Sequence, residues 1–164
     1  MTGPRTGVVA DANVLIDYAS VDKSLLALVA GHLGPLRIAS PVLEEVRQLS
    51  ATEAMKLGLE IVEPTLAQAL EAEGARGATS FQDQLCLILA RDNGWTVISN
   101  DKTLRGVCAK LGIRCLWGLE TMAVLVAQGH LSAAKALAAA EAMSERNIFL
   151  TQQVVAAFRR KLGL

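Results

Sequence analysis

The stretch Val8-Val9-Ala10-Asp11-Ala12-Asn13-Val14-Leu15-Ile16 decides how this chain folds. Its first part, with Gly7, is a short apolar run lacking the in–out alternation of a half-exposed strand. Such a run reads as a parallel strand covered on both faces. It stops at a carboxylate, and the apolar residues beyond it recur at helical spacing. A strand therefore hands over to a helix with an acid at the joint.

Working outward, the same unit recurs. Strand-like runs fall at residues 6–10, 36–39, 59–62, 96–99 and 113–116, with helical patterns filling the gaps at 14–19, 23–30, 41–49, 52–57, 65–73, 81–93 and 104–111. Ser40 reads as an N-cap with Pro41 at the first helical position, Ser80 caps the helix that Gly94 closes, and Gly112 ends the next. Strands alternating with helices predict an α/β fold with a parallel sheet of four to five strands and right-handed crossovers. From Gly118 to Leu164 the sequence is alanine-rich and helical, broken at Gly129-His130-Leu131 and near Asn147, with Ser132 as a cap. The expected organisation is residues 1–117 as the α/β unit and 118–164 as a helical extension packed on it.

Composition narrows the classes. A 164-residue chain that is 52% hydrophobic can bury a sizeable core. Its 16 basic and 16 acidic residues cancel, which argues against a protein that coats nucleic acid. No apolar stretch reaches the roughly 18 residues of a membrane span, so no membrane partner is expected. Met1 to Arg5 lacks the pattern of a secretory leader, and Cys86, Cys108 and Cys115 have no paired close spacing. Buried thiols in a reducing cytoplasm are the expectation.

The chemistry lies in four acids. In open parallel sheets ligands bind outside the carboxyl ends of the strands, where Asp11 and Asp101 fall. Glu45 and Asp83 lie in the opening turns of helical patterns, so one sheet edge can gather all four. Two carboxylates about 4 Å apart repel by roughly 4 kcal/mol at an effective dielectric near 20. A hard cation such as Mg²⁺ or Mn²⁺ reverses that sign and suits an all-oxygen site. Such a site supports phosphodiester hydrolysis. Each acid also has a purely structural role open to it. Ser80-x-x-Asp83 fits a capping box, Asn100-Asp101 an N-cap pair, and Glu44-Glu45 a solvated pair favoured by a helix dipole. Asp17, Asp22 and Asp92 read as surface or turn residues. His32 and His130 have no partner at triad spacing.

The run quoted above, then Ser40-Pro41-Val42-Leu43-Glu44-Glu45-Val46, then Asp83 in a Leu/Ala-rich helix, then Val97-Ile98-Ser99-Asn100-Asp101, resembles the PIN-domain nucleases, including the VapC-type toxins of bacterial toxin–antitoxin pairs. The resemblance spans about residues 6–116. It implies a three-layer α/β/α fold, an Asp11, Glu45, Asp83, Asp101 quartet holding Mg²⁺ or Mn²⁺, Asn13 orienting Asp11 by a hydrogen bond, and Ser99 as a hydroxyl beside the site. Glu44 is the alternative to Glu45, which is preferred because an apolar residue, Val46, follows it.

The function so implied is a metal-dependent endoribonuclease, the toxin of a type II pair with an antitoxin partner. The alternatives are an RNA-processing nuclease without an antitoxin, or a non-catalytic nucleic-acid-binding scaffold. Lys102 and Arg105, at i, i+3 spacing, and Arg76, in a Gly-flanked loop, are candidate contacts to RNA phosphates. The Ala133–Ala140 stretch offers an apolar surface, and a homodimer is expected from it.

Overall fold

Val8, Val9 and Ala10 form strand β1 (Val8–Ala10), buried throughout, in a computed structural model that describes residues 7–75, 77 and 79–164. Strands β2 (Leu36–Ala39), β3 (Glu60–Val62), β4 (Thr96–Ile98) and β5 (Cys115–Leu116) join it in one sheet of order β3-β2-β1-β4-β5. Every pairing is parallel, with Val9 opposite Arg37 on one side and Val97 on the other. The fold is α/β, an all-parallel sheet flanked by helices, compatible with three α/β/α layers. The chain works outward from β1 to β3, then returns to lay β4 on the other side of β1. That reversal makes the carboxyl ends of β1 and β4 the switch point at which a ligand crevice opens.

Helices α1 (Ala12–Val21) and α2 (Ser24–His32) link β1 to β2; α3 (Ser40–Leu43) and α4 (Ala51–Lys56) link β2 to β3. Helices α5 (Leu66–Gly74) and α6 (Phe81–Asn93) precede β4, and α7 (Lys102–Leu111) precedes β5. The end of α6 is set by Gly94, whose φ of 70° is the left-handed conformation that glycine adopts without a Cβ penalty. Helix α6 packs on β1 and β4, with α5 against it.

The expected helix over 41–49 is a single turn. Ser40 is its first residue rather than its cap, and the Ser40 hydroxyl donates to Glu63 instead. Beyond Leu43 the backbone runs in tighter turns, with Glu45 N–H reaching Val42 C=O and Val46 N–H reaching Leu43 C=O. Leu43, Val46 and Leu49 are buried at three-residue spacing. Side chains three residues apart share a face in such turns. The last strand is also shorter than the 113–116 run, because Ile113 N–H goes back to Cys108 C=O to close α7.

The tail forms α8 (Gly118–Ala127), α9 (Ala133–Ser144), capped by Ser132, and α10 (Gln152–Lys161). Its buried residues, from Leu119 and Met122 to Phe158, belong to the same core cluster as β1 and α1. Ala136, Ala139 and Ala140 are buried within that core. The alanine face expected to carry self-association is thus largely covered by the chain itself. No helix among the described residues is long and apolar enough to cross a membrane.

Candidate active site

Asp11 is 1% exposed and ends β1. Its N–H bonds to Ile98 C=O, which ties the residue to β4, and its carboxylate caps α1 by accepting from Val14 N–H at 2.8 Å through Oδ1. The other oxygen accepts from the Ser99 hydroxyl at 2.5 Å. Ser99 Oγ in turn accepts from Asp101 N–H at 3.0 Å. One hydroxyl therefore couples the acid after β1 to the acid after β4. Asp101 caps α7, with Oδ1 accepting from Thr103 and Leu104 N–H.

Asp83 reaches the same edge because α6 packs on β1 and β4. The Ser80–Asp83 capping box is present, with Ser80 N–H donating to Asp83 Oδ2 and Asp83 N–H to Ser80 Oγ. The structural roles read from the sequence for Asp83 and Asp101 are therefore real. They do not exclude a second role, since each cap occupies one carboxylate oxygen and leaves the other. Glu45 is exposed on the turns after α3 and lies within electrostatic reach of Asp83. Glu44 instead lines a separate cleft with Ser40, Val46, Ile61 and Glu63.

Electrostatics bind these acids into one group. Burial pushes the Asp11 carboxyl up from 3.8 to about 7; its hydrogen bonds from Ser99 and Val14 oppose that rise, and the charges of Asp83 and Asp101 add to it. Asp83 is raised by burial, opposed by its bonds with Ser80, and raised again by Asp101. Glu45 is raised by partial burial and by Asp83. Beneath them Cys86 is fully buried, its thiol facing Ala10 C=O at 3.7 Å, and it is driven upward by burial and then by Asp11, Asp83 and Glu45. The floor of the site is buried and its rim is anionic.

Among the described residues, no three His, Cys, Asp or Glu side chains are drawn together closely enough to hold a metal ion as they stand. The four acids share a field rather than a closed ligand shell. As a donor set they still fit a hard divalent cation. All donors are oxygen, one carboxylate is desolvated and like-charged neighbours raise it, which a cation would relieve.

The supporting residues differ from expectation. Asn13 is exposed and does not orient Asp11; the α1 amide at Val14 and the Ser99 hydroxyl do. The reason is the cap geometry, which turns the Asp11 carboxylate onto its own helix end and leaves Asn13 on the outer face. Lys102 is exposed beside the site, whereas Arg105 is half-buried, over the Trp117 ring at 4.2 Å and 4.0 Å from Glu120. Arg76 lies outside the described residues. His32 and His130 stack on each other, ring centroids 3.5 Å apart, next to the amino side of β2.

Asp17 is the residue most misread from sequence. It is 6% exposed and accepts from Asn147 Nδ2 at 2.7 Å and Asn100 Nδ2 at 3.3 Å. Asn100 Oδ1 takes Gly118 N–H at 2.8 Å, and a Cβ on Gly118 would meet Asn100 at 2.9 Å. The Tyr18 hydroxyl reaches Gly118 C=O and Thr121. This buried network fastens α8 and the α9–α10 connection to α1, next to the carboxylate edge. The available signal was position, since Asp17 borders the apolar stripe of Val14 and Tyr18. The chain matches no protein-family model and no curated protein.

Proposed function

We propose that this chain is a metal-dependent endoribonuclease of the PIN-domain kind, hydrolysing RNA phosphodiester bonds. The observation that carries the proposal is the buried Asp11 at the switch point, joined to Asp101 through the Ser99 hydroxyl and within electrostatic reach of Asp83, which in turn reaches Glu45. Acids gathered at such cost to the free protein suit a function that needs them ionised together. Asp11, Glu45, Asp83 and Asp101 would hold Mg²⁺ or Mn²⁺, which when bound supplies charge neutralisation at the phosphate and activation of water. Asp11 is the anchor, fixed on both oxygens. Ser99 holds Asp11 against Asp101, so the two central acids keep one spacing. Asp83 and Asp101 present their uncapped oxygens, and Glu45 supplies the flexible outer carboxylate. Lys102 stands beside Asp101 for the RNA backbone.

Cleavage of RNA in Mn²⁺ should stop on adding EDTA and in Asp11→Asn, by about a thousandfold or more. Turnover surviving both changes overturns the reading. The resemblance to VapC-type toxins extends the proposal to an antitoxin partner, tested by co-purification with the product of an adjacent small gene. The unpaired Cys86, Cys108 and Cys115 suit a cytoplasmic setting.

A further inference from the structure

Beside Asp101 the carboxylate edge continues into a cleft of about 280 Å³ between α1 and the connection from α9 to α10. Asn13 and Asp101 stand on one side, and Arg146, Ile148 and Phe149 on the other. The far wall is held from within. Asn147 donates to buried Asp17 and accepts from Phe149 N–H at 2.9 Å, while Leu150 N–H returns to Asn147 C=O at 3.0 Å. Leu150 is 2% exposed and plugs the core. Between these anchors Ile148 and Phe149 are held outward, 85% and 40% exposed. A fixed turn holds two large apolar side chains in water beside a guanidinium and a carboxamide, a combination suited to a ligand with both an apolar face and a charged group.

The chemistry of that rim matches a nucleotide. A ring face stacks a base, a guanidinium takes a phosphate, and a carboxamide meets a base edge or a ribose hydroxyl. An apolar peptide would use Ile148 and Phe149 but offer nothing to the exposed Arg146 guanidinium or the Asn13 carboxamide. We propose that this cleft is the subsite for the nucleotide adjoining the scissile phosphodiester of single-stranded RNA, with Phe149 as the stacking platform and Arg146 as the phosphate contact. This rests on the ribonuclease reading above.

The test is fluorescence anisotropy of a labelled single-stranded oligoribonucleotide in EDTA, together with cleavage kinetics in Mn²⁺. Phe149→Ala should weaken binding about tenfold and Phe149→Tyr should restore it, since stacking on the ring contributes roughly that much per base. Arg146→Ala should weaken binding and lower the salt-dependence slope by about one. In cleavage both Ala variants should raise KM more than they lower kcat. Unchanged affinity and KM in both overturn the subsite; if the wild type then still cleaves RNA and Asp11→Asn does not, the ribonuclease reading stands without it. A wild-type protein that neither binds nor cleaves RNA overturns both. Loss of binding to an apolar peptide, with RNA affinity unchanged, would assign the cleft to a protein partner and also overturn it.

Discussion

Two aspartates of one helix, Asp11 at its cap and Asp17 in its body, are both nearly removed from water, and they are treated in opposite ways. Burial raises both carboxyls. Asp17 is then met by two carboxamides and by the Arg146 charge, all of which pull it back down. Asp11 is met by an amide and a hydroxyl, but its charged neighbours, Asp83 and Asp101, push it further up. One acid is satisfied by the chain that buries it. The other is left short of positive charge by that same chain, at the point where the sheet topology opens a crevice. Fold stability explains the first arrangement; the second is one that a bound cation would relieve.

The sharpest way to break this contrast is to neutralise the unsatisfied acid. Asp11→Asn keeps the shape, with the carboxamide oxygen accepting from Val14 N–H and its NH₂ turned to Ser99. In the metal-free protein the Asp11 carboxyl titrates near 7 when folded and near 3.8 when unfolded. Between those values the folded state holds a proton that the unfolded state has released, so stability falls as pH rises from about 4 to about 7 and stays lower above. The full difference is on the order of 4 kcal/mol. Asp11→Asn should therefore raise Tm at pH 8, flatten that pH dependence and abolish cleavage. Mn²⁺ should raise the Tm of the wild type and not of the variant. A variant less stable than wild type at pH 8 would mean that the buried charge is already compensated.

The same operation on the satisfied acid should do the reverse. Asp17→Ala strips the acceptor from the NH₂ groups of buried Asn100 and half-buried Asn147, whose Oδ1 atoms keep their own partners. That costs about 2–3 kcal/mol, or roughly 6–9 °C in Tm for a chain of this size. The kcat per folded molecule should be largely kept, since Asp17 bonds Asn100 and Asn147 rather than the four acids, while KM should rise as the Phe149 turn that Asn147 anchors loosens. Thermal melts beside activity at a permissive temperature separate the two effects. Loss of turnover without loss of Tm would move Asp17 into the site.

The asymmetry also explains what the sequence could disclose. β1 and β4 were legible because parallel strands buried on both faces are short runs without in–out alternation, as Val8-Val9-Ala10 and Thr96-Val97-Ile98 are. Asp11 and Asp101 were legible because an acid at the end of such a run is out of place locally. Asp17 was not, since its partners Asn100 and Asn147 lie far along the chain and only tertiary packing buries it. Glu45 stands on tight turns rather than the expected helix, because the proline and apolar residues of 41–49 suit a helix and a series of tight turns alike. Asn13 and Arg105 have surroundings that the sequence did not disclose, for a shared reason. Spacing fixes the side of a helix from which a residue leaves, but not the group it finds there: for Arg105 the Trp117 ring, for Asn13 the exposed rim of the Phe149 cleft.

Ser99 sharpens the contrast most finely, because it is the one neutral side chain that opposes the rise of Asp11. Removing its hydroxyl in Ser99→Ala takes a donor from Asp11 and an acceptor from Asp101 N–H. About 1 kcal/mol of stability should be lost, less than in Asp17→Ala, because Val14 N–H still serves the carboxylate. Function should feel more, with cleavage falling roughly tenfold, as for other groups that orient a ligand without touching the ion. The direction of the pH effect is fixed: the Ser99 hydroxyl lowers the Asp11 carboxyl, so its loss moves the acid limb of the cleavage profile to higher pH. Ser99→Thr keeps the hydroxyl and should restore both rate and limb. A tenfold loss with an unmoved acid limb would mean that Ser99 only packs between β4 and α7, and that the coupling of Asp11 to Asp101 through its oxygen is incidental.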